Sequence, residues 1–509
     1  MAFQRPGVYV QETLNPVQSV VGPNSDSYGA FIGANDRGPV NTPTLVTSWS
    51  QYVTLFGQWN TTASNDLAIA VYMFFANGGN ACYVVRVVGA SSASALRNLN
   101  DRAATPLATL RLTAANAGTW GNDVNVSITN SNADNLFDLT VYYGGNTDSE
   151  IVEKFTDLSM TSTNTRYAPS VINSGSKFVI AVDLANVTTG GTKNPSVITN
   201  QSLSGGLNGS AVSTITTYTH FDTVLQSLIL NVPGFTDAAT VNAAIAYAVA
   251  RGDVFVVVDS ALSAGEDITL GTPSTASTQL SLTATYTASS HAAVYYPRLY
   301  IADPTLGLGA ATGQTKLVGA GGAVVGLYAA TDASRGVFKA PAGLQARLAG
   351  TVSVKKLTNA ELDTANSSPL PVNVIKFVAG TGIVVMGART LKAGYIDKYV
   401  PVRRTLIYLR KAATDLTEFA LFEPNDAFLW RRVSAALSSF LTNFWAQGGL
   451  VGATPAIAYY VRCDDSINPQ ALIDNGELHI EIGVALQRPA EFVIIKIGQF
   501  NGNTTVTVA

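Results

Sequence analysis

The sequence predicts a multidomain α/β protein, α+β in the broader sense, with an α/β core, an inserted antiparallel domain like a β-sandwich, and extended N- and C-terminal β arms. Three observations carry this reading. At 509 residues the chain exceeds one ordinary core, and about 100 to 200 residues per domain points to three or so. Two segments repeat one grammar, an amphipathic helix running straight into a strand apolar on both faces, which requires a sheet covered on both sides. Between them lies a stretch of short alternating strands split by Gly, Asn, Asp and Ser, the pattern of an antiparallel sandwich.

In chain order, residues 1–27 read as an arm and linker. Val8, Tyr9 and Val10 favour a strand with no local hairpin partner, Pro6-Gly7 loosens the chain ahead of them, and 15–27 is a polar linker with Pro16, Gly22 and Pro23. The core is expected over 28–98 and 212–375. Its first helix follows the capping residues Asn65 and Asp66, with Leu67, Ala70, Val71 and Phe74 on one face, and ends at Gly78-Gly79. A strand over 83–88 follows, apolar but for Arg86. The same grammar returns over 237–258, where Val241, Ala244, Ile245, Ala248 and Val249 share a face, Arg251-Gly252-Asp253 closes the helix, and 254–258 is unbroken apolar strand.

The inserted domain is expected over 99–211, because LATLRLTA, VNVSITN, FDLTVYY and KFVIAV alternate and the α/β grammar lies on both sides. Closure entropy grows slowly with insert length, so a surface loop tolerates such an insertion. Residues 262–290, rich in Thr and Ser, read as a smaller excursion or mobile loop. A C-terminal domain is expected over 376–499, followed by a tail over 500–509. Its strong helix is capped by Asn425 or Asp426, carries Trp430, Val433, Leu437, Phe440, Leu441 and Phe444 on one stripe, and stops at Gly448-Gly449. Strands over 478–484 and 491–497 are expected to pair across LQRP.

Composition narrows the function. Charged residues are 13% of the chain, about half the usual share, and 31 Lys and Arg against 34 Asp and Glu leave a net charge of -3. So thinly charged a surface offers little self-repulsion and favours close packing against copies of itself, although an ordinary soluble protein with a neutral polar surface fits the composition as well. The basic pairs Lys355-Lys356, Arg403-Arg404, Arg410-Lys411 and Arg431-Arg432 are too dispersed for a nucleic-acid footprint. The start MAFQRPGVYV has no basic then apolar signal region, and no apolar run approaches a membrane span, so a chain made and kept in a cytoplasm is expected. Cys82 and Cys463 stand far apart in apolar contexts and read as buried free thiols.

Enzyme signals fail one by one. His220, His291 and His479 are not in metal-ligand spacing. GAGGAVVG at 319–326 fits neither the dinucleotide nor the Walker spacing, and no Lys-Ser or Lys-Thr follows it. Asp259 ends a buried strand where α/β sheets often bind ligands, but a helix cap or loop hydrogen bond explains an aspartate there equally. Asp464-Asp465 lacks a third group for acid/base work and reads as a solvated turn. No catalytic residue, cofactor or metal is expected; the alternative left open is an α/β enzyme or carbohydrate-binding protein with no recognisable site.

A series of short motifs in fixed order adds a family resemblance. RPGVYVQE opens the chain; Arg389-Thr390-Leu391, Arg403-Arg404, Phe422-Glu423-Pro424-Asn425, Cys463-Asp464 and Pro489-Ala490-Glu491-Phe492 follow in the last quarter. Together they resemble the contractile tail sheath proteins of bacteriophages and related injection particles. The segments 29–57, HAAVYYPRLYIADP and GLYAATDASRGVFKAPAG fit the same pattern, which is weakest over 95–215 and 262–290.

The resemblance implies a structural, non-enzymatic subunit that stacks as six-fold rings around an inner tube and contracts to drive that tube through a bacterial envelope. Its implied partners are copies of itself, the tube protein, and baseplate and tail terminator proteins, without direct nucleic-acid contact or membrane insertion. It implies a place in the virion tail, after assembly in the host cytoplasm. Intersubunit arms are expected at Val8, Tyr9 and Val10 and at Phe492, Val493, Ile494 and Ile495, and a tube-facing surface at Arg431, Asp464, Asp465 and Asp474.

Overall fold

A computed structural model describes residues 28–59, 66–131, 135–186, 193–261, 285–304, 315–367, 370–392 and 397–491. Both proposed arms and most of 262–290 lie outside these residues. The chain divides into two compact units. The larger takes in Asp26–Ala330 and Pro341–Ala393; the C-terminal unit takes in Thr331–Ala340 and Gly394–Ala509.

The larger unit is organised by an eight-stranded sheet. Its first three strands are β1 (Tyr28–Ala34), β2 (Thr44–Val46) and β3 (Cys82–Val87), with helices α1 (Trp49–Phe56) and α2 (Asp66–Ala76) between the last two. The chain then leaves for the insert and returns with β11 (Leu228–Asn231), helix α4 (Ala238–Arg251), β12 (Val254–Val258) and β13 (Ala292–Tyr296). Strands β17 (Val372–Val378) and β18 (Gly382–Val385) complete the sheet in the order β18-β17-β13-β12-β11-β1-β3-β2. The inner pairings are all parallel, and only the edge strands β2 and β18 run antiparallel. The boundary expected at 375/376 therefore falls inside β17, because the hydrogen-bond ladder carries the sheet through 385.

Alternation decides which helix covers which face. Ala30, Ile32, Leu228, Leu230, Val254 and Val256 share a core cluster with Val241, Ala244, Ile245 and Ala248 of α4. The intervening side chains meet the other layer: Phe31 packs edge-on to Phe74 of α2, and Phe255 and Tyr295 meet Tyr328 of α5 (Gly321–Arg335). Asp237 caps α4 by accepting from Thr240 N at 2.8 Å, and Gly252, at φ 80°, ends it in the left-handed conformation that suits glycine.

The insert contains β4 (Leu96–Asn100), β5 (Ala108–Ala114), β6 (Val124–Asn130), β7 (Phe137–Tyr143), β8 (Ile151–Leu158), helix α3 (Ala168–Gly175), β9 (Val179–Asp183) and β10 (Ile198–Ser202). These strands form a four-stranded sheet, β10-β6-β7-β8, and a three-stranded one, β4-β5-β9, which share one core around Leu110, Trp120, Val126, Phe137 and Ile172. Strand β4 begins ahead of the expected boundary at 99, since its partner is β5.

Two arginines tie insert to core. Arg86, the one charge in the apolar run of β3, is fully buried and donates to the carbonyls of Asn35 (2.6 Å), Asp36 (2.7 Å), Gly38 (3.1 Å) and Ala117 (2.7 Å). Burial pulls its pKa down to about 10, against the opposing pull of Asp36 and Tyr52. Arg37 lies over the rings of Phe178, Tyr143 and Trp120 with centroids 4.9, 5.1 and 5.9 Å away, and donates to the carbonyls of Val53 and Thr54.

The C-terminal unit holds an α-helical pair, α7 (Val400–Thr417) and α8 (Ala427–Ala446), and the antiparallel pair β19 (Tyr459–Arg462) and β20 (Glu481–Val484). Asp426 caps α8 by accepting from Phe428 N and Leu429 N at 2.8 and 2.9 Å. The stripe of Trp430, Val433, Leu437, Leu441 and Phe444 is buried as its spacing predicts, and Phe440 is partly buried against the same cluster. The observed partner of β20 is β19; the expected partner segment 491–497 lies, beyond Glu491, outside the described residues.

Candidate functional site

The C-terminal unit is built around charges buried in an apolar helix. In the run PVRRTLIYL, Arg403 and Arg404 are 4% and 3% exposed, so each guanidinium requires buried acceptors, and here each meets a carboxylate. Arg404 forms a bidentate pair with Asp332, Nη1 to Oδ1 at 2.9 Å and Nη2 to Oδ2, and Asp332 is 1% exposed. Arg403 Nη2 meets Asp397 Oδ2 at 2.9 Å. Asp332 lies in the last turns of α5, so this pair fixes the segment Thr331–Ala340 against α7 although they are far apart in sequence. The adjacent arginines were legible as a motif; their partners were not, because nothing local marks Asp332 or Asp397.

The turn between α7 and α8 contains the motif Phe422-Glu423-Pro424-Asn425. Asn425 is fastened on two sides: its Oδ1 accepts from Trp430 Nε1 at 2.8 Å, and its Nδ2 donates to the Glu477 carbonyl at 2.9 Å. Phe422 sits at φ 64°, a conformation that costs a bulky residue about 1 to 3 kcal/mol. Such strain persists only where the surrounding bonds over-determine the turn.

The four residues expected to face a tube are all exposed. Asp464 Oδ1 accepts from Ser466 N at 3.0 Å in a tight turn, and the buried Asn468 clips that loop by donating to the Asp464 and His479 carbonyls and accepting from His479 N at 2.6 Å. Asp474 accepts from Gln470 Nε2 at 2.8 Å, and Arg431 Nε donates to the Ala427 carbonyl at 3.1 Å. Among the described residues no hydrogen bond or ion pair joins Arg431 to any of Asp464, Asp465 or Asp474. The four form separate local features and not one network.

Chemistry expected of an enzyme is not assembled where the sequence pointed. Asp259 Oδ1 accepts from Gly321 N at 2.5 Å, so it holds the start of α5. Burial raises its pKa, opposed by Arg298 and by the Gly321 N–H. The glycine run 319–326 serves close packing: a Cβ on Gly322 would overlap the backbone of Ala70 in α2, and one on Gly326 would meet the Phe74 carbonyl. An open cavity of about 400 Å³ lies where the strand order reverses between β1 and β11, lined by Ala34, Asp66, Pro233, Gly234, Thr236 and Asp237 among others. Asp237 already caps α4, and among the described residues lining the cavity there is no imidazole, thiol or cation. Among the described residues no group of His, Cys, Asp and Glu is placed to hold a metal, and no helix is long and apolar enough to cross a membrane. Both cysteines are buried free thiols; burial, then Asp464, pushes Cys463 up to about 11, and burial pushes Cys82 higher still.

Known proteins agree with the fold, and the family match covers the motifs from Arg403 onward. Residues 398–500 match the family model of the phage tail sheath C-terminal domain. A tail sheath protein of Vibrio phage KVP40 is 28% identical over 179 residues, which covers 34% of this chain and only a quarter (25%) of that protein. The sheath complex of an extracellular contractile injection system, PVC, in its contracted state superposes with a TM-score of 0.57 at 23% identity, covering 98% of each chain. A sheath tail protein from Listeria innocua gives a TM-score of 0.60 at 12% identity, over 91% of this chain and 96% of that one. Residues 398–500 thus match the phage tail sheath C-terminal domain, and the chain has the fold of the contractile sheath proteins.

Proposed function

We propose that this chain is the structural subunit of a contractile tail sheath. It polymerises as stacked rings around an inner tail tube, and contraction drives the tube through a bacterial envelope. The observation that carries the reading is the pairing of a sheath C-terminal domain with likeness, along nearly the whole chain, to a sheath complex in its contracted state. No bound nucleotide enters the mechanism. An extended array whose intersubunit contacts are poorer than those of the contracted one is metastable, and contraction is a population shift that propagates through a bistable lattice. Tube, baseplate and tail terminator proteins are the proposed partners, and the virion tail, assembled in the host cytoplasm, the proposed location. Electron microscopy of the purified chain tests the reading: tubes or rings support it, whereas compact oligomers that never extend would refute it.

The insert is proposed to lie at the outer radius and to be dispensable for the lattice. Its stems already meet, because Gly89 N donates to the Asn208 carbonyl at 3.3 Å and Ser210 N to the Ala90 carbonyl at 3.1 Å. A short Gly and Ser linker in place of 91–207 closes that gap, at the loss of the Ala117 carbonyl bonded to Arg86 and of the aromatic lid over Arg37. The shortened chain is expected to stay folded and form tubes; aggregation or an unfolded core by circular dichroism would contradict this.

Arg431, Asp464, Asp465 and Asp474 are proposed to face the tube. Exposed ion pairs contribute about 0 to 1 kcal/mol each, weak enough for release when the sheath expands. Charge reversal at the three aspartates is expected to change the salt dependence of assembly around the tube. Identical assembly at low and high salt would remove these residues from the contact surface while leaving the sheath reading intact.

A further inference from the structure

The insert keeps its apolar core to itself. Leu110, Trp120, Val126, Phe137 and Ile172 pack with other side chains of the insert, and among the described residues no hydrophobic side chain of the eight-stranded sheet or its helices joins that cluster. The chain enters and leaves through two short stems that carry Gly89, Gly205, Gly206 and Gly209. Ser91 at φ 64° and Gly209 at φ 79° both sit in the left-handed region. Stems of this composition absorb rotation easily, because glycine has no Cβ to restrict its backbone. Two pieces with separate cores on such stems turn against each other unless a further contact holds them.

That contact is built around Arg37, in the loop after β1. Its buried guanidinium donates from Nη2 to the carbonyls of Val53 and Thr54, at 3.0 and 2.6 Å, at the electronegative C-terminal end of α1. The core thus holds one edge of the group and leaves its face to the insert, whose Phe178, Tyr143 and Trp120 rings lie 4.9, 5.1 and 5.9 Å away. All three rings belong to the insert's own cluster or pack against it. Beside them, Gly118 enters a notch in which a Cβ would lie 2.8 Å from the Asp36 carbonyl oxygen and 2.9 Å from Arg86 Nη2. An apolar seam tolerates sliding, whereas a buried cation does not, because its acceptors and rings are fixed and a shift leaves the charge uncompensated.

We propose that Arg37 is a latch: it fixes the insert in one orientation, and without it the insert turns on its stems while both apolar cores stay intact. This is a property of the single chain and goes beyond the sheath reading, since it holds whether or not the chain assembles.

A distance measurement on the full chain tests the latch. Lys154 of β8 and Ala246 of α4 are exposed and both natural cysteines are buried, so a chain with Lys154→Cys and Ala246→Cys accepts two nitroxide labels. Double electron–electron resonance is expected to give one narrow distance distribution. Arg37→Ala is expected to widen it about twofold, with an unchanged circular dichroism spectrum. Phe178→Leu with Tyr143→Leu removes two of the ring faces but keeps apolar volume in the insert. This pair is expected to widen the distribution as well, and it decides alone if Arg37→Ala does not fold. A broad distribution in the chain that retains Arg37 and its rings, or an unchanged width in any folded variant, would overturn the latch.

Discussion

Arg404→Ala is expected to destabilise the C-terminal unit by about 3 to 5 kcal/mol, because it leaves the Asp332 carboxylate charged and buried without its bidentate partner. Both side chains are almost completely buried, so water does not replace the lost donors. The effect should be read locally, since a chain with two compact units need not unfold in one step. Amide hydrogen exchange along α7 and α8 is expected to accelerate, while β11, β12 and β13 keep their protection. Asp332→Ala is expected to do the same from the other side. Replacing both partners by apolar residues of similar size, Arg404→Met with Asp332→Leu, should recover most of the loss, because no buried charge then remains. Unchanged exchange in Arg404→Ala would mean that the pair does not hold this unit together.

Deleting residues 1–20 is expected to leave a folded monomer that cannot polymerise. Among the described residues, β19 and β20 form a sheet of only two strands, extended by a single bridge between Leu450 and Leu486. A lone two-stranded pair is marginally stable in water and presents unpaired backbone on its outer edges. The β-prone run Val8, Tyr9 and Val10 has no hairpin partner nearby in sequence, and a polar linker follows it. Added to a neighbour's sheet, such a strand satisfies both sets of backbone groups while the linker lets subunits slide and stay joined. The segment Phe492, Val493, Ile494 and Ile495 is the proposed companion at the other end; both segments lie outside the described residues. Sedimentation of the truncated chain should show a monomer with native circular dichroism. Normal tubes from that truncation would rule the arm out.

Much of the architecture was legible because it depends on local periodicity. Most of the stripes on α4 and α8 and the fully apolar strand β12 state their own burial, because a side chain's neighbours three and four positions away, or two away in a strand, share its face; Val249, expected on the α4 stripe, is instead 52% exposed near the helix end, and α2 is buried beyond its stripe, at Ala68, Ile69 and Met73. The alternation of β5, β6, β7 and β9 marked the insert in the same way. The short motifs marked the C-terminal domain by their order, which no single motif could do.

What tertiary structure alone decided concerns pairings between distant residues. Arg403 and Arg404 were visible as a pair, but only folding brings Asp332 and Asp397 to them, since a buried ion pair is specified by geometry across the fold and leaves no local pattern. The glycine run 319–326 looked like a failed phosphate loop and proved to be the surface on which α5 approaches α2, because the absence of a Cβ permits both uses. The limits of the large sheet depend on the ladder that recruits β17 and β18, and hydropathy does not encode who pairs with whom. Likewise the sequence by itself determined that Phe422 belongs to a motif, whereas exposure of its ring follows from the left-handed turn that Asn425 holds from two sides.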